Sequence, residues 1–295
     1  MNKIGFVGLG RMGGSMAARL MEAEYPVYGT ARAREHVQPL IEKGLDWRDS
    51  AREVAEAADV IVTSLPGDHS VLAVASGPDG LLAGLGQGKV WIDMSTVSPR
   101  LSDDLARRVH EPGATMLAAP VSGSVPQAQS GTLVIMVGGN ERAFRRVEPL
   151  LRELGTPSHV GDNGQALVLK LAINISLAVQ ALAFAEGLLL ALRSGIDSDV
   201  ALELMTTSAI ASPMLKARAP NMLNPPSEAW FDLGFMQKDI ELALDTGRQL
   251  HVPLPTAART DEVLAAGQEL GYGRSDIAAL FQVLRRMGTA DGMAA

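Results

Sequence analysis

Lys3-Ile4-Gly5-Phe6-Val7-Gly8-Leu9-Gly10-Arg11-Met12-Gly13 is the stretch that decides the fold. It opens as a short apolar run, which suits a strand. Three glycines follow, spaced by one and then two residues. Beyond them Met12, Met16, Leu20 and Met21 recur near helical spacing across 11–24. In a strand–turn–helix unit each glycine has a task. Gly8 permits the tight turn, Gly10 lets the backbone approach a diphosphate, and Gly13 lets the helix pack on the strand. The helix start offers free N–H groups and the positive end of the dipole to an anion. Gly8, Leu9, Gly10, Arg11, Met12 and Gly13 are therefore candidate dinucleotide-binding residues. The plainer alternative, a tight turn without a ligand, is disfavoured by the strand before and the helix after.

The alternation continues outward. Strands are expected at Val27–Thr30, 58–65, 89–93, Thr115–Ala118, 133–137 and near 158–160, with helices near 34–43, 50–57 and Pro99–His110. The strand segments are nearly continuous apolar runs, which fits a parallel sheet buried on both faces. Strands alternating with helices predict a doubly wound α/β sheet of Rossmann type over 1–162. After Gly161 the pattern changes: 165–193 is one long helical pattern. Further helices follow at 200–206, 214–222, 236–250, 256–268 and 277–286, with no strand among them. An all-α domain over 163–295, beginning with a long interdomain helix, is the expectation. The small, polar tail 289–295 is expected to fray.

Composition removes several classes of function. The chain has 295 residues, 47% of them hydrophobic, and a formal net charge of -7. That acidity speaks against nucleic-acid binding, which wants a basic face. With no cysteine, disulfides, thiolate metal sites and a cysteine nucleophile are excluded. Five histidines show no pair at metal-ligand spacing, so no metal is expected. The most apolar stretch, 167–192, carries Lys170, Asn174, Gln180 and Glu186, which reads as a buried helix rather than a membrane span. The first strand starts too early for a signal peptide, and a cytoplasmic location is expected.

The end of the second strand bears on the choice of cofactor. A carboxylate about 20 residues beyond the glycines usually holds the ribose 2′-hydroxyl of NAD. Here the stretch is Thr30-Ala31-Arg32-Ala33-Arg34, with no carboxylate at that point. Arg32 can pair with a 2′-phosphate in forked geometry, and Thr30 can add a hydroxyl donor. The plainer alternative leaves Arg32 and Arg34 as solvated helix-start residues. NADP is expected over NAD. Leu65-Pro66, after a central strand, is expected on the adenosine side of the site.

Several motifs, in order along nearly the whole chain, resemble one family. Gly8 through Ala17 resembles the signature of the β-hydroxyacid dehydrogenases, which include 3-hydroxyisobutyrate dehydrogenase, tartronate semialdehyde reductase and glyoxylate/succinic semialdehyde reductase. Asp93-Met94-Ser95-Thr96-Val97-Ser98-Pro99 is similar to the family's nicotinamide-side loop, and Ala119-Pro120-Val121-Ser122-Gly123 to its substrate-carboxylate loop. Gly161, Gly164, Lys170 and Asn174 resemble its catalytic helix, and Gln237-Lys238-Asp239 its second-domain lysine motif. Pro120-Val121-Ser122-Gly123-Ser124 and the run 209–216 are similar to the glyoxylate/succinic semialdehyde reductase branch, whose members use NADPH. Three positions depart from the family: Ala118 stands where an acidic residue is common, Ala166 where a glycine is usual, and Ala31 before the cofactor arginine where an asparagine is usual. The first two are expected to retune packing, while the third bears on how the adenosine ribose is held.

The resemblance implies roles. Lys170 and Asn174, four apart, share one helix face. Reduction of an aldehyde creates an alkoxide, to which a lysine ammonium brings both charge and a proton. With apolar neighbours all around, Lys170 is expected to be substantially buried. Ser122 and Gly123 are expected to hold the substrate carboxylate. Ser95 and Thr96 are expected on the nicotinamide side, and Lys238 against cofactor or substrate. An NADPH-dependent reductase of short aldehyde acids is expected, acting as a homodimer or homotetramer without nucleic-acid or membrane partners. Alternatives are a 3-hydroxyisobutyrate or tartronate semialdehyde enzyme, an imine reductase, or a non-catalytic cofactor-binding protein. Lys170 argues against the imine reductase, and Lys170 with Asn174 against the non-catalytic protein.

Overall fold

The computed structural model describes residues 2–290, with side chains through 288. The first half runs β1 (Ile4–Val7), α1 (Arg11–Glu22), β2 (Val27–Thr30), α2 (Gln38–Glu42), β3 (Asp46–Trp47), α3 (Ala51–Ala57), β4 (Val60–Thr63), α4 (Asp68–Ala75), α5 (Leu81–Gly84), β5 (Val90–Asp93), α6 (Pro99–His110) and β6 (Thr115–Ala118). Then come β7 (Val121–Ser122), α7 (Val125–Ser130), β8 (Leu133–Gly139), α8 (Glu141–Leu154) and β9 (Gly155–Gly161). The rest is helical: α9 (Asn163–Arg193), α10 (Ser198–Thr207), α11 (Pro213–Leu223), α12 (Leu233–Gln249), α13 (Pro255–Glu269) and α14 (Leu280–Ala290). Of the tail expected to fray from 289, residues 289 and 290 belong to α14, and 291–295 lie outside the described residues.

The nine strands form one sheet in the order β3-β2-β1-β4-β5-β6-β8-β7, with β9 paired to β8. From β3 to β6 all pairs are parallel. Beyond β6 the sheet is mixed, because β8 runs antiparallel to both β6 and β7. β7 continues β6 in the same direction across Ala119-Pro120, and the two meet β8 in one register. The sequence did not mark β3, β7, α4, α5, α7 or α8. Two-residue strands and helices as short as Leu81–Gly84 carry too few residues for a period to show, but α8 is fourteen residues long and buries Phe144, Val147, Leu151 and Leu154 at helical spacing, a period that was legible and missed.

Register is the feature that positions the site. Val7 lies opposite both Thr30 and Thr63, Thr63 opposite Asp93, and Asp93 opposite Ala118. Five strands therefore end level, and the five loops that follow leave from one edge. In such sheets that edge is where ligands bind. Ile4, Phe6, Val60, Val62, Ile92 and Leu117 are buried in one apolar cluster with Met16, Leu20 and Val147 from the covering helices.

The chain forms two compact units, Met1–Lys170 and Leu171–Ala295. The division thus falls inside α9, after Lys170, rather than at 162 where the helix starts. The reason is visible in the first turns of α9. The buried side chain of Asn163 accepts the N–H of Ala118 at 2.7 Å. Asp103 on α6 accepts the N–H of Gly164 at 3.1 Å. Ala166, fully buried, packs against Gly138 of β8. The second unit has its own core, in which Phe184, Leu188, Met222, Ile240, Leu264 and Phe281 are buried together.

Asn163→Ala is expected to leave the Ala118 N–H buried without a partner and to lower stability by about 1–3 kcal/mol. Urea unfolding would show it as a lower midpoint with an unchanged slope, and an unchanged midpoint would contradict it.

Candidate active site

The glycine turn follows β1 as expected, and its three glycines differ in what demands them. A Cβ on Gly8, which has φ +94°, would lie 2.4 Å from the carbonyl oxygen of Ser64. One on Gly13 would lie 2.0 Å from the carbonyl oxygen of Gly8. Both are required by the fold itself. A Cβ on Gly10 would meet nothing within 4 Å, and its φ of -72° suits any residue. The chain leaves open space at that glycine, which is the space a diphosphate needs for close approach to the backbone. No side chain caps α1 there, and its first turn holds no acidic residue. These residues fit a dinucleotide. Arg11 is exposed, and Met12 is half-buried against the core. Leu9 is buried and packs beside Gly29 of β2, so only its backbone belongs to the turn.

At the end of β2, Thr30 is buried and its carbonyl accepts the N–H of Gly8 at 3.2 Å. Arg32 is exposed and belongs to no ion pair among the described residues. Arg34 and Arg48 are engaged elsewhere: the first lies over the Trp47 ring at 5.5 Å and the second over Tyr28 at 4.9 Å. Of the arginines flanking this strand, Arg32 is the one with its guanidinium uncommitted.

Leu65-Pro66 follows β4 and Ser95-Thr96 follows β5. The structure joins these two loops directly, since Ser95 Oγ accepts the Leu65 N–H at 2.9 Å. Ser95 is buried, Thr96 half-buried and Pro66 exposed. Ser122 ends β7, pairing with Val134, and is half-buried. Gly123 follows with φ +133°, and a Cβ there would come within 2.8 Å of Leu133. The turn that carries the expected carboxylate contact thus needs glycine for its own geometry.

Lys170 is half-buried. Leu169 and Ala172 are exposed, whereas Ala166, Leu167 and Asn174, which share the lysine's side of α9, are buried. Asn174 is 1% exposed, and its amide donates to Asp239 Oδ2 at 2.5 Å. The Lys238 ammonium lies 2.9 Å from Asp239 Oδ1. That oxygen is buried without a well-aligned hydrogen bond, so the approach is one of charge to charge. Asp239, 2% exposed, therefore gathers Asn174 and Lys238 on one carboxylate. The sequence placed Asp239 beside the lysine motif without assigning it this role. Also missed was the pair of Arg218 and Asp276, 2.6 Å apart and buried. Asp276 also accepts the N–H groups of Trp230 and Phe231, fixing that loop. Met214 and Phe231 pack against the helical core.

Comparison with known proteins bears on the fold and the family. Residues 3–166 match the family described as the NAD binding domain of 6-phosphogluconate dehydrogenase. Residues 164–284 match that described as the NAD-binding of NADP-dependent 3-hydroxyisobutyrate dehydrogenase. The chain is 34% identical to 2-(hydroxymethyl)glutarate dehydrogenase of Eubacterium barkeri, over 97% of this chain and 95% of the relative. It is 31% identical to glyoxylate/succinic semialdehyde reductase 2, chloroplastic, of Arabidopsis thaliana, over 96% of this chain and 79% of the relative. It is 35% identical to 2-hydroxy-3-oxopropionate reductase of Escherichia coli K12, over 97% and 98%. Among solved structures, Psf3 in complex with NADP+ and 2-OPP superposes with a TM-score of 0.86 at 28% identity, covering 95% of this chain and 99% of that one. Fold and relatives define an NAD(P)-dependent oxidoreductase acting on hydroxyl or aldehyde groups. The chain belongs to the β-hydroxyacid dehydrogenase family.

Gly10→Ala and Gly13→Ala should fail differently. The first should fold with a melting temperature near that of the wild type yet bind nicotinamide cofactor at least about tenfold more weakly, through lost backbone approach. The second should not yield folded protein. Circular dichroism with cofactor titration separates them, and a Gly10→Ala protein that binds normally would contradict the assignment.

Proposed function

We propose that the protein is an NADPH-dependent reductase of short aldehyde acids, of the succinic semialdehyde or glyoxylate type, forming hydroxy acids. The observation that carries this is the constellation of Asn174 and Lys238 on Asp239, with Lys170 one turn before Asn174 on the same helix. Bound NADPH supplies the hydride. Lys170 meets the negative charge that develops on the carbonyl oxygen and gives it a proton. Asn174, fixed by Asp239, orients the reacting oxygen. Lys238, held beside the same carboxylate, brings a second positive charge for cofactor or substrate. Ser122 and the backbone at Gly123 hold the substrate carboxylate through a hydroxyl and N–H groups. Gly8 to Gly13 receive the diphosphate, and Arg32 pairs with the 2′-phosphate. Leu65-Pro66 and Ser95-Thr96 line the path between the two ends of the cofactor. The names of the relatives support the aldehyde-acid class, and the uncommitted guanidinium of Arg32 supports NADPH over NADH.

We further propose that the second unit pairs with a second copy of the chain. Helix α9 is long and apolar enough by composition to cross a membrane, and 33% of its most apolar window is buried. Leu190 is 74% exposed and Leu204 on α10 65%, with Ile196 and Val200 also open. Apolar surface of this extent on a helical unit is what an obligate interface covers.

A panel of short semialdehydes with NADPH and NADH tests the first proposal. Lys170→Ala should lower kcat by about 100-fold or more. Arg32→Ala should raise the KM for NADPH by about tenfold while leaving that for NADH unchanged. Full turnover by the alanine variant at 170, or equal use of both cofactors by the wild type, would overturn the corresponding assignment. For the second proposal, light scattering at micromolar protein should give a mass of twice the chain or more, and a monomer there would exclude pairing.

A further inference from the structure

Asp93 ends β5 and is 1% exposed, yet no cation pairs with it among the described residues. A buried acid of this kind is costly unless hydrogen bonds satisfy it. Here they do. Its Oδ1 accepts from the Thr63 hydroxyl at 2.7 Å and from the Ser95 N–H at 3.1 Å. The Thr63 oxygen is in turn fixed by the indole Nε1–H of Trp91 at 2.9 Å. Burial pushes the Asp93 carboxyl above its ordinary pKa, and the hydrogen bonds from Ser95 and Thr63 oppose that shift. The group is thus retained against a desolvation penalty, at a position where an apolar residue would pack without one.

What the acid does is visible in the loops. It fixes Ser95, and Ser95 fixes Leu65. Three residues further on, the Asp68 carboxylate accepts both the N–H and the hydroxyl of Ser98, at 2.8 and 2.6 Å. The segments 65–68 and 95–98 are therefore joined at both ends, with Pro66 and Thr96 held between the joins. Only an acceptor can take a hydroxyl and a backbone N–H on one oxygen at this point.

We propose that Asp93 is a positioning residue of the cofactor site, which through Ser95 sets the loop carrying Thr96 against the loop carrying Leu65 and Pro66. The proposal rests on the assignment of those loops to a nicotinamide dinucleotide. It concerns the alignment of the two halves of the site, so a ligand that needs only the adenosine half is indifferent to it.

The test is a fluorescence titration of NADPH and, in parallel, a calorimetric titration of adenosine 2′,5′-bisphosphate. Wild type, Asp93→Asn, Asp93→Ala and Thr63→Val are compared. Asparagine keeps an oxygen for both donors, so Asp93→Asn should bind NADPH within about threefold of the wild type. Asp93→Ala should bind it about tenfold or more weakly, and Thr63→Val, which removes one donor to Asp93 and also leaves the Trp91 indole N–H unpaired, about threefold or more weakly. All should bind the bisphosphate as the wild type does. A folded Asp93→Ala protein with wild-type affinity for NADPH would overturn the proposal. So would an Asp93→Asn protein as weak as the alanine variant, since charge rather than placement would then be the cause. Equal weakening of both ligands would reduce Asp93 to general stability. Should the alanine variant not fold, Thr63→Val decides alone: unchanged NADPH affinity refutes the proposal. Wild-type protein that binds neither NADPH nor NADH would instead overturn the cofactor assignment itself.

Discussion

Level strand ends are the constraint on which the first unit depends. Because Val7, Thr30, Thr63, Asp93 and Ala118 share one register, the loops after them leave from a common edge. A shift of one residue in any strand would turn its side chains to the other face of the sheet and displace its loop. The register is held by parallel ladders whose residues are buried on both faces, so the apolar runs that stabilise the sheet also align the site. Polar groups enter this edge only where something holds them. Thr63 and Asp93 hold each other, and Asn163 takes the Ala118 N–H.

A second constraint lies in α9. Its first residues are bound to the sheet through Asn163, Gly164 and Ala166, and its later ones sit in the helical core with Ala178, Phe184 and Leu188. A helix is stiff over such a length, so Lys170 and Asn174 keep a fixed separation and share one face. Asn174 is then locked from the other side by Asp239 on α12. The candidate chemistry thus stands on helices rather than on loops, which suits groups that must hold their geometry during proton transfer.

Much of this was legible in the sequence, and the reason is periodicity. Val7 to Gly13, the apolar runs at β4 and β5 and the long pattern of α9 each carry enough residues for a period or a spacing to declare itself. What stayed hidden was pairing between residues distant in sequence. Asp93 stood within a recognised loop motif, but its partner Thr63 lies thirty positions away, and Asp239 lies sixty-five from Asn174. Burial was also hard to judge. Along α9 it changes from one residue to the next, Leu169 exposed between the buried Leu167 and Leu171, because it is set by what packs on each side of the helix and not by neighbours along the chain. β3 and β7 escaped for a simpler reason, since two-residue strands have no pattern to read.

The same geometry accounts for two departures from the family pattern. Ala118 is 1% exposed, and its N–H is already taken by Asn163. A carboxylate at that point would enter a dry environment and need a donor of its own. Alanine leaves no such demand, and the end of β6 is fixed by the asparagine together with its pairing to β5 and β8. Ala166 is the complementary case. It is fully buried, and a Cβ built on Gly138 would fall 2.9 Å from its methyl group, so the space between β8 and α9 admits one methyl and not two. With glycine on the strand, alanine on the helix fills the gap and keeps the helix propensity that glycine would lose. The close approach of α9 to the sheet thus rests on Gly138, and the path of the helix toward Lys170 does not depend on a glycine at 166.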